Sequence, residues 1–281
     1  MGSLLRFEGL VRRPFGAPGQ VPTMLGATTD SHPAEYVRAM TDAATPLDDA
    51  TLLDLLTEQS ELLSSRLGVL DDAAAREPSL LPGWSRGHLL THLARNADAI
   101  GTSAASAVLG RSVPRYHSAQ QREQDIEAGS GRPADQLVAD VTASATRLQA
   151  LLAAVPPSRA DVLLPDGLGG PVRVGDLPWL RLREVTYHHV DLDLGFGFTD
   201  VPAPVLRRGL LECPARLAAT SPGLRLVCRC DHAEPLELVI GDGSHRVEGT
   251  AAAVLAWLTG RSDGAGVTSA DGPLPALPSW G

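Results

Sequence analysis

The sequence predicts an α+β protein in which a helical bundle precedes a smaller domain with a short sheet. Between residues 48 and 197, four segments repeat apolar residues at steps of three and four, which is the spacing of one buried helix face. Between residues 224 and 248 the apolar residues alternate with polar ones, as they do in half-buried strands. At 281 residues the chain is long enough for two modest domains, each with its own core.

The predicted domain boundaries follow changes in this patterning. Residues 1–44 have glycine and proline punctuation and no sustained period, so we expect a poorly ordered extension, with Met24 and Met40 as alternative starts. Residues 45–197 form the predicted bundle, and residues 198–281 form the predicted α+β domain.

Apolar spacing and end signals predict the first three bundle helices. The first covers residues 48–69. Ser85 follows a Pro-Gly turn and is the predicted N-cap of the second helix, which runs to about residue 109. A short helical stretch then contains Arg122, and a third long helix follows Pro133. The apolar positions that define the first and third helices are Leu52, Leu55, Leu56, Leu62, Leu63, Leu67, Leu137, Val141, Ala145, Leu148 and Leu152.

The fourth helix is predicted to begin near Asp176, with Pro178 in its first turn, and to end at Gly195 and Gly197. The glycine- and proline-rich residues 161–174 before it predict a small hairpin or a loop. Four amphipathic helices in sequence indicate an up-down bundle, an architecture that builds metal sites from facing helices.

The C-terminal domain is predicted to contain a helix over residues 203–219, three strands and a last helix over residues 250–258, followed by a proline-rich tail. The strands cover residues 224–230, 236–240 and 245–248, and Gly241-Asp242-Gly243 predicts a hairpin turn. The cysteines of the chain lie in this domain and have no second pair with which to form a zinc cluster. We therefore predict buried free thiols at Cys213, Cys228 and Cys230.

Composition restricts the partners. The formal net charge of −9 argues against nucleic acid and against an anionic membrane surface. No apolar run approaches the roughly 18 to 20 residues that span a bilayer, and no secretory signal peptide is recognisable. We expect a cytoplasmic protein whose partners are small molecules.

Two histidine motifs far apart in the sequence could build one metal site. Glu184 and His188 are four residues apart, so on a helix they project from the same face. A histidine from a neighbouring helix would complete three protein ligands and leave a fourth position open for chemistry. His92 and His88, one turn apart on the second helix, compete for this role. From the residues alone, the Glu184–His188 pair could equally be a surface hydrogen bond.

The same motifs resemble a known family. Leu81-Pro82-Gly83-Trp84-Ser85-Arg86-Gly87-His88, His92-Leu93-Ala94-Arg95-Asn96 and Arg183-Glu184-Val185 through His188 resemble the mycothiol-dependent maleylpyruvate isomerase family, and so do Gly260-Arg261-Ser262-Asp263-Gly264 and Gly266-Val267-Thr268-Ser269. The likeness covers residues 48–281. It implies a DinB-like four-helix bundle, followed by a C-terminal domain similar to sterol-carrier-protein folds.

The resemblance also implies the site. It assigns a zinc ion to His92, Glu184 and His188, and a substrate carboxylate to Arg122. It implies that the enzyme uses the low-molecular-weight thiol mycothiol to convert maleylpyruvate to fumarylpyruvate. The chain's own cysteines are then not the nucleophile.

Several roles stay open at this stage. Two alternatives to the isomerase are a mycothiol S-transferase that acts on electrophilic xenobiotics and a non-catalytic metal-binding relative. His88 is predicted to cap its helix or to support the ligands, and His189 to pack in the core. Asp191 is either a hydrogen-bond acceptor for a ligand imidazole or a surface carboxylate. Trp84 is predicted to anchor the bundle.

Overall fold

A computed structural model describes residues 48–167, 170–217, 223–230 and 234–277, so the predicted extension at residues 1–44 lies outside the described residues. Residues Pro46–Gly281 form one compact unit. Four long helices make up its first part: α1 (Asp49–Leu67), α3 (Arg86–Leu109), α5 (Ala134–Ala153) and α6 (Leu177–Asp191). Two shorter helices, α2 (Asp72–Arg76) and α4 (Ala119–Ser130), connect them.

The predicted apolar faces meet in the core of this bundle. Leu52, Leu56, Leu63 and Leu67 of α1 are buried. The buried apolar residues of α3 and α5 include Leu89, Leu93, Ile100, Leu137, Val141 and Leu148. Helix α1 starts where the Asp48 carboxylate accepts a hydrogen bond from the Thr51 N–H at 2.7 Å, which satisfies one of the free amides of the first turn. Helix positions in this region therefore follow from local periodicity and capping.

The directions of the bundle helices correct the predicted alternation. In an up-down bundle the third helix would run antiparallel to the second. Instead, α5 runs parallel to α3: Arg95 contacts Asp140 at 3.0 Å, and Asp98, further along α3, contacts Arg147, further along α5, at 2.8 Å. The connection through α4 allows this, because a crossing helix returns the chain to the end of the bundle at which α3 began.

The second part of the unit combines helices α7 (Ala203–Leu217) and α8 (Ala251–Leu258) with a four-stranded sheet. The strands are β3 (Leu224–Arg229), β4 (Leu236–Ile240), β5 (His245–Thr250) and β6 (Val267–Ser269), in the order β4-β3-β5-β6. A separate two-stranded hairpin pairs β1 (Leu163–Leu164) with β2 (Val172–Arg173), within the predicted hairpin or loop. Together these elements confirm the α+β class.

The predicted hairpin between the last two sequence-derived strands is wrong. β4 and β5 do not pair, because β3 lies between them, antiparallel to β4 and parallel to β5. Gly241 and Gly243 do adopt positive φ angles of 60° and 66°, so the turn chemistry was identified correctly. The segment assigned to a proline-rich tail also contributes a strand, β6, which pairs antiparallel with β5.

Within the described ranges, no helix is both long enough and apolar enough to cross a bilayer.

Candidate metal centre

Helix α3 presents His92 from its second turn, and the first turn is fixed by a reciprocal cap. The Ser85 hydroxyl accepts from the His88 backbone N–H at 3.4 Å, and Nδ1 of His88 accepts from the Ser85 N–H at 3.2 Å. The other ring nitrogen of His88 lies 3.2 Å from Glu127 on α4. His88 is therefore engaged in capping, as predicted, and His92 is the residue of this motif that faces α6.

Helix α6 is held against α3 by a buried arginine. Nη1 of Arg181 donates to the Leu93 carbonyl at 2.8 Å and to Oδ1 of Asn96 at 2.9 Å. These contacts fix the rotation of α6, so that Glu184 and His188, one turn apart on α6, both face His92. Asn96, the last residue of the second motif segment, is thus the side-chain acceptor for this arginine.

The three predicted ligand atoms converge. Nε2 of His92 lies 3.0 Å from Oε2 of Glu184 and 3.1 Å from Nε2 of His188, and the last two atoms are 3.5 Å apart. Zinc bonds of about 2.0–2.1 Å at tetrahedral angles place neighbouring ligand atoms about 3.3 Å apart. The three side chains therefore fit the spacing that one tetrahedral cation requires. Within the described residues, this is the one group of three such side chains with metal-ligand geometry.

The electrostatics of the group favour a positive charge at its centre. Burial lowers the pKa of His92 to about 4, so this imidazole is neutral near pH 7. Burial by itself would raise the pKa of Glu184, but hydrogen bonds from His188 and His92 hold it well below its usual value. Burial would likewise lower the pKa of His188, but hydrogen bonds to Asp191 and Glu184 raise it. An ionised carboxylate thus lies beside two imidazole nitrogens in a largely buried place.

Asp191 is a hydrogen-bond acceptor for a ligand imidazole. It is fully buried, and its Oδ2 accepts from Nδ1 of His188 at 2.8 Å. In the neutral imidazole this bond places the proton on Nδ1 and leaves the lone pair on Nε2, the atom that points toward Glu184 and His92. The same carboxylate receives two hydrogen bonds from Arg261, at 2.8 and 2.7 Å. The sequence reading did not identify Arg261 as part of the site, because 70 residues separate the two partners.

A cavity of about 260 Å³ opens next to these side chains. Trp84 forms part of its wall, with its ring 5.6 Å from that of His92 in an edge-on arrangement. Trp84 was predicted to anchor the bundle, but this half-buried indole also forms part of the cavity wall. Four arginines line the same cavity: Arg122, Arg183, Arg216 and Arg261.

The predicted substrate arginine, Arg122, reaches the site from α4. Its Nη2 donates to Nδ1 of His92 at 3.1 Å. The phenol of Tyr116 lies close to this guanidinium and to Glu184, and burial is the main cause that raises its pKa. Tyr116 follows α3 in a loop whose backbone is tied to residue Asp166 at 3.0 Å. Tyr116 was not predicted from the sequence, because an isolated loop tyrosine carries no periodicity.

The remaining candidates lie outside the site. His189 is fully buried, with its ring stacked 3.9 Å from that of Phe196, in agreement with the predicted packing role. Cys213 and Cys228 are buried and Cys230 is half-buried, and all three are free thiols. None of them lines the cavity beside His92.

Comparisons with known proteins identify relatives of the whole described region. Residues 56–193 match the model of the mycothiol maleylpyruvate isomerase N-terminal domain, and residues 200–279 match that of the MDMPI C-terminal domain. A crystal structure of the mycothiol-dependent maleylpyruvate isomerase is similar with a TM-score of 0.76 and 29% identity, over 86% of this chain and 99% of that chain. A histidine-to-alanine mutant of that isomerase gives the same TM-score and coverage at 28% identity. A search of curated protein sequences finds no match.

Proposed function

The chain belongs to the mycothiol-dependent maleylpyruvate isomerase family, and we propose that it is a zinc enzyme that uses mycothiol to isomerise maleylpyruvate to fumarylpyruvate. The observation that carries the proposal is the convergence of two imidazole nitrogens and one carboxylate oxygen, within 3.5 Å of one another, beside an arginine-lined cavity.

His92, Glu184 and His188 would hold the zinc ion, with a fourth position open toward the cavity. When bound, the ion acts as a Lewis acid that lowers the pKa of a coordinated thiol, so that it is a thiolate near neutral pH. The chain's own residues prepare the site: Asp191 keeps the lone pair of His188 on Nε2, and Glu184 contributes the negative charge.

An added thiol is required because the chain's buried sulfurs are poor nucleophiles. Burial raises the pKa of Cys213 and of Cys228 to about 12, so both are protonated at neutral pH. Mycothiol, when bound, would supply a nucleophile for reversible addition to the conjugated cis double bond, which is the chemistry that rotation to the trans isomer requires. Within the cavity, the residues of the chain exclude water and orient the substrate.

Arg122 is the arginine best placed to bind a substrate carboxylate. Arg183 contacts Glu212 at 2.7 Å, and Arg261 is engaged with Asp191. Among the described residues, Arg122 has no carboxylate partner; it donates to His92 and lies close to the phenol of Tyr116. Ligation of a cation through Nε2 of His92 would place a proton on Nδ1, and Arg122 would then have to exchange that contact for another acceptor. A substrate carboxylate supplies such an acceptor and pairs with the guanidinium in a bidentate manner.

The arginine lining also favours the isomerase over the S-transferase. Maleylpyruvate is dianionic near pH 7, whereas the xenobiotic electrophiles of the alternative activity include uncharged molecules. Of the arginines that line the cavity, Arg122 has no carboxylate partner among the described residues, and its positive charge favours an anionic substrate over a neutral one.

The test is to measure maleylpyruvate isomerisation by the zinc-loaded protein with and without mycothiol, in parallel with conjugation of mycothiol to an uncharged electrophile. We expect isomerisation only with mycothiol, and slow conjugation or none. Thiol conjugation without isomerisation would establish the S-transferase instead. Absence of both activities in a folded, zinc-loaded sample would favour the non-catalytic relative.

A further inference from the structure

A chain of hydrogen bonds connects the C-terminal part of the unit to the candidate metal centre. Arg261 follows α8 and donates Nε to Oδ1 and Nη2 to Oδ2 of Asp191, at 2.8 and 2.7 Å. Asp191 ends α6 and accepts from Nδ1 of His188 through the same Oδ2 atom, at 2.8 Å. Three side chains from two parts of the sequence thus form a continuous path to a candidate ligand.

The geometry of this path is unusually well defined. The side chain of Asp191 is fully buried, and that of Arg261 is 10% exposed. Nη1 of Arg261 also donates to the Thr259 carbonyl at 3.2 Å, so all three guanidinium nitrogens have partners within the protein. The planar fork of an arginine matches both oxygens of a carboxylate, which fixes the carboxylate plane as well as its position.

Without Arg261, Asp191 would be an ionised carboxylate buried with a single hydrogen bond from an imidazole. A buried charge that lacks a partner either becomes neutral or moves toward solvent. In either case its hold on Nδ1 of His188 would weaken. The imidazole could then adopt the other tautomer or turn its ring away from His92 and Glu184.

From these contacts we infer that Arg261 is a positioning residue of the metal centre, which acts through Asp191 to hold His188 with its Nε2 lone pair toward the ion. This inference rests on the proposed function only in taking the cation to be held by His92, Glu184 and His188. It assigns a specific task to the C-terminal part of the chain, since the bundle alone holds the three ligands but lacks the arginine that fixes one of them. Carboxylates and other groups behind a ligand histidine typically alter metal affinity by about 10- to 100-fold when they are removed.

The experiment compares zinc affinity, measured by competition with a chelator, in the full-length wild type and in variants. Arg261→Met should weaken zinc binding by about 10- to 100-fold. Arg246→Met is the matched control: it removes one arginine from the same part of the chain, where Arg246 pairs with the partly exposed Glu248 at 2.8 Å, and it should leave zinc affinity unchanged. Unchanged affinity in Arg261→Met would overturn the inference.

A double-mutant cycle tests whether the effect runs through Asp191. In an Asp191→Asn background, Arg261→Met should change zinc affinity by less than about threefold, because the carboxylate that transmits its effect is already gone. An equal loss in both backgrounds would show that Arg261 acts on the metal by another route and would overturn the inference.

A spectroscopic readout keeps this test independent of zinc binding. Nitrogen NMR of the protein prepared without metal, recorded at a pH high enough for the His188 imidazole to be neutral, should show its proton on Nδ1 in the wild type and a mixture of tautomers in Arg261→Met. If Arg261→Met does not fold by circular dichroism, Arg261→Lys replaces it, and we expect a smaller loss of affinity and a partial shift of tautomer. If the lysine variant had the zinc affinity and the His188 tautomer of the wild type, the two-point contact of the Arg261 guanidinium with Asp191 would not be needed, and its inferred role would be overturned. If the wild type binds no zinc, the proposed function fails, while the tautomer comparison still decides whether Arg261 positions His188.

Discussion

The bundle and the C-terminal part of the unit both bury chemically reactive groups, with opposite consequences. In the bundle, His92, Arg181 and Asp191 are almost completely buried, and each has a hydrogen-bond partner on another element. In the C-terminal part, Cys213 and Cys228 are equally buried, and the Cys213 thiol donates to a carbonyl of its own helix, that of Gly209, at 3.3 Å.

The difference lies in what surrounds each group. Desolvation favours the neutral form and is the largest cause that raises the pKa of both thiols to about 12, so both are protonated and weakly nucleophilic near pH 7. In the bundle, the same desolvation is opposed by hydrogen bonds, so Glu184 keeps a pKa well below its usual value although it is largely buried. Burial therefore keeps the two thiols un-ionised, whereas Glu184, which is hydrogen-bonded to two imidazoles, stays ionised although it is buried.

The largest expected effect follows from removing a candidate ligand. His188→Ala removes one of three converging ligand atoms and the contact to Asp191, so zinc content should fall from about one ion per chain to near zero. Elemental analysis after gel filtration measures it. His189→Ala is the control, because it removes a histidine from the same helix that is not a candidate ligand, and this variant should retain zinc. Full zinc occupancy in His188→Ala would mean that the bundle site is not the metal centre.

The next largest effect concerns substrate binding. Arg122→Met should reduce kcat/KM for maleylpyruvate by about 30- to 1000-fold, because a bidentate carboxylate contact in a partly dry site contributes roughly 2 to 4 kcal/mol. Zinc content should stay the same. Arg147→Met, on the exposed side of the bundle, is the control. Arg122→Lys should restore only part of the loss, because a point charge cannot reproduce the guanidinium fork. Near-normal kcat/KM in Arg122→Met would indicate that another arginine binds the carboxylate or that the substrate is not maleylpyruvate.

The buried thiols predict how stability depends on pH. Their pKa is raised in the folded chain from a reference value of 9.0 to about 12, so their stabilising contribution is fully present below about pH 9 and is lost as pH rises toward 12. A shift of this size corresponds to on the order of 4 kcal/mol per thiol at full ionisation. The free energy of unfolding, measured with urea between pH 8 and about 10.5, should therefore fall more steeply with pH for the wild type than for the variant with both cysteines changed to alanine. Equal slopes for the two proteins would contradict this prediction.

A smaller effect is expected where α3 passes close to α4. A Cβ at Gly87 would lie 2.2 Å from the Ser130 carbonyl oxygen, and backbone gives way less easily than a side chain. Gly87→Ala should lower the free energy of unfolding by about 1 to 3 kcal/mol, as overpacking does. Gly131→Ala, where a Cβ would meet nothing within 4 Å, is the control. Equal thermal stability of the two variants would show that α4 can move without cost.

The smallest effect is expected for catalysis after removal of the sulfurs. A variant with all three cysteines changed to alanine should keep its kcat with added mycothiol, although it will be less stable, because none of the thiols lines the cavity. The measurement is isomerisation at a temperature at which the variant remains folded. Loss of turnover in a folded sample would show that at least one of the chain's own thiols takes part in catalysis.

The helices and the spacing of the ligands were determined by the sequence itself. Apolar residues at steps of three and four place Leu52, Leu56 and Leu63 on one buried face, and the Ser85 cap fixes where α3 begins. The four-residue interval between Glu184 and His188 places both on one face of α6, since helix geometry is local. The choice of His92 over His88, and the roles of Arg122 and zinc, came from the resemblance to the family and stay predictions.

Only the tertiary structure decided the features that depend on distant segments. The parallel course of α3 and α5, the insertion of β3 between β4 and β5, and the contact of Tyr116 with Arg122 have no local signal. The pair of Arg261 and Asp191 lies 70 residues apart in sequence and forms because α8 returns the chain to the end of α6. Periodicity shows which face of an element is buried, whereas the partner that covers that face is selected by packing of the whole chain. Sequence spacing therefore predicted that Glu184 and His188 share a face, but it could not predict that Arg261 lies behind them.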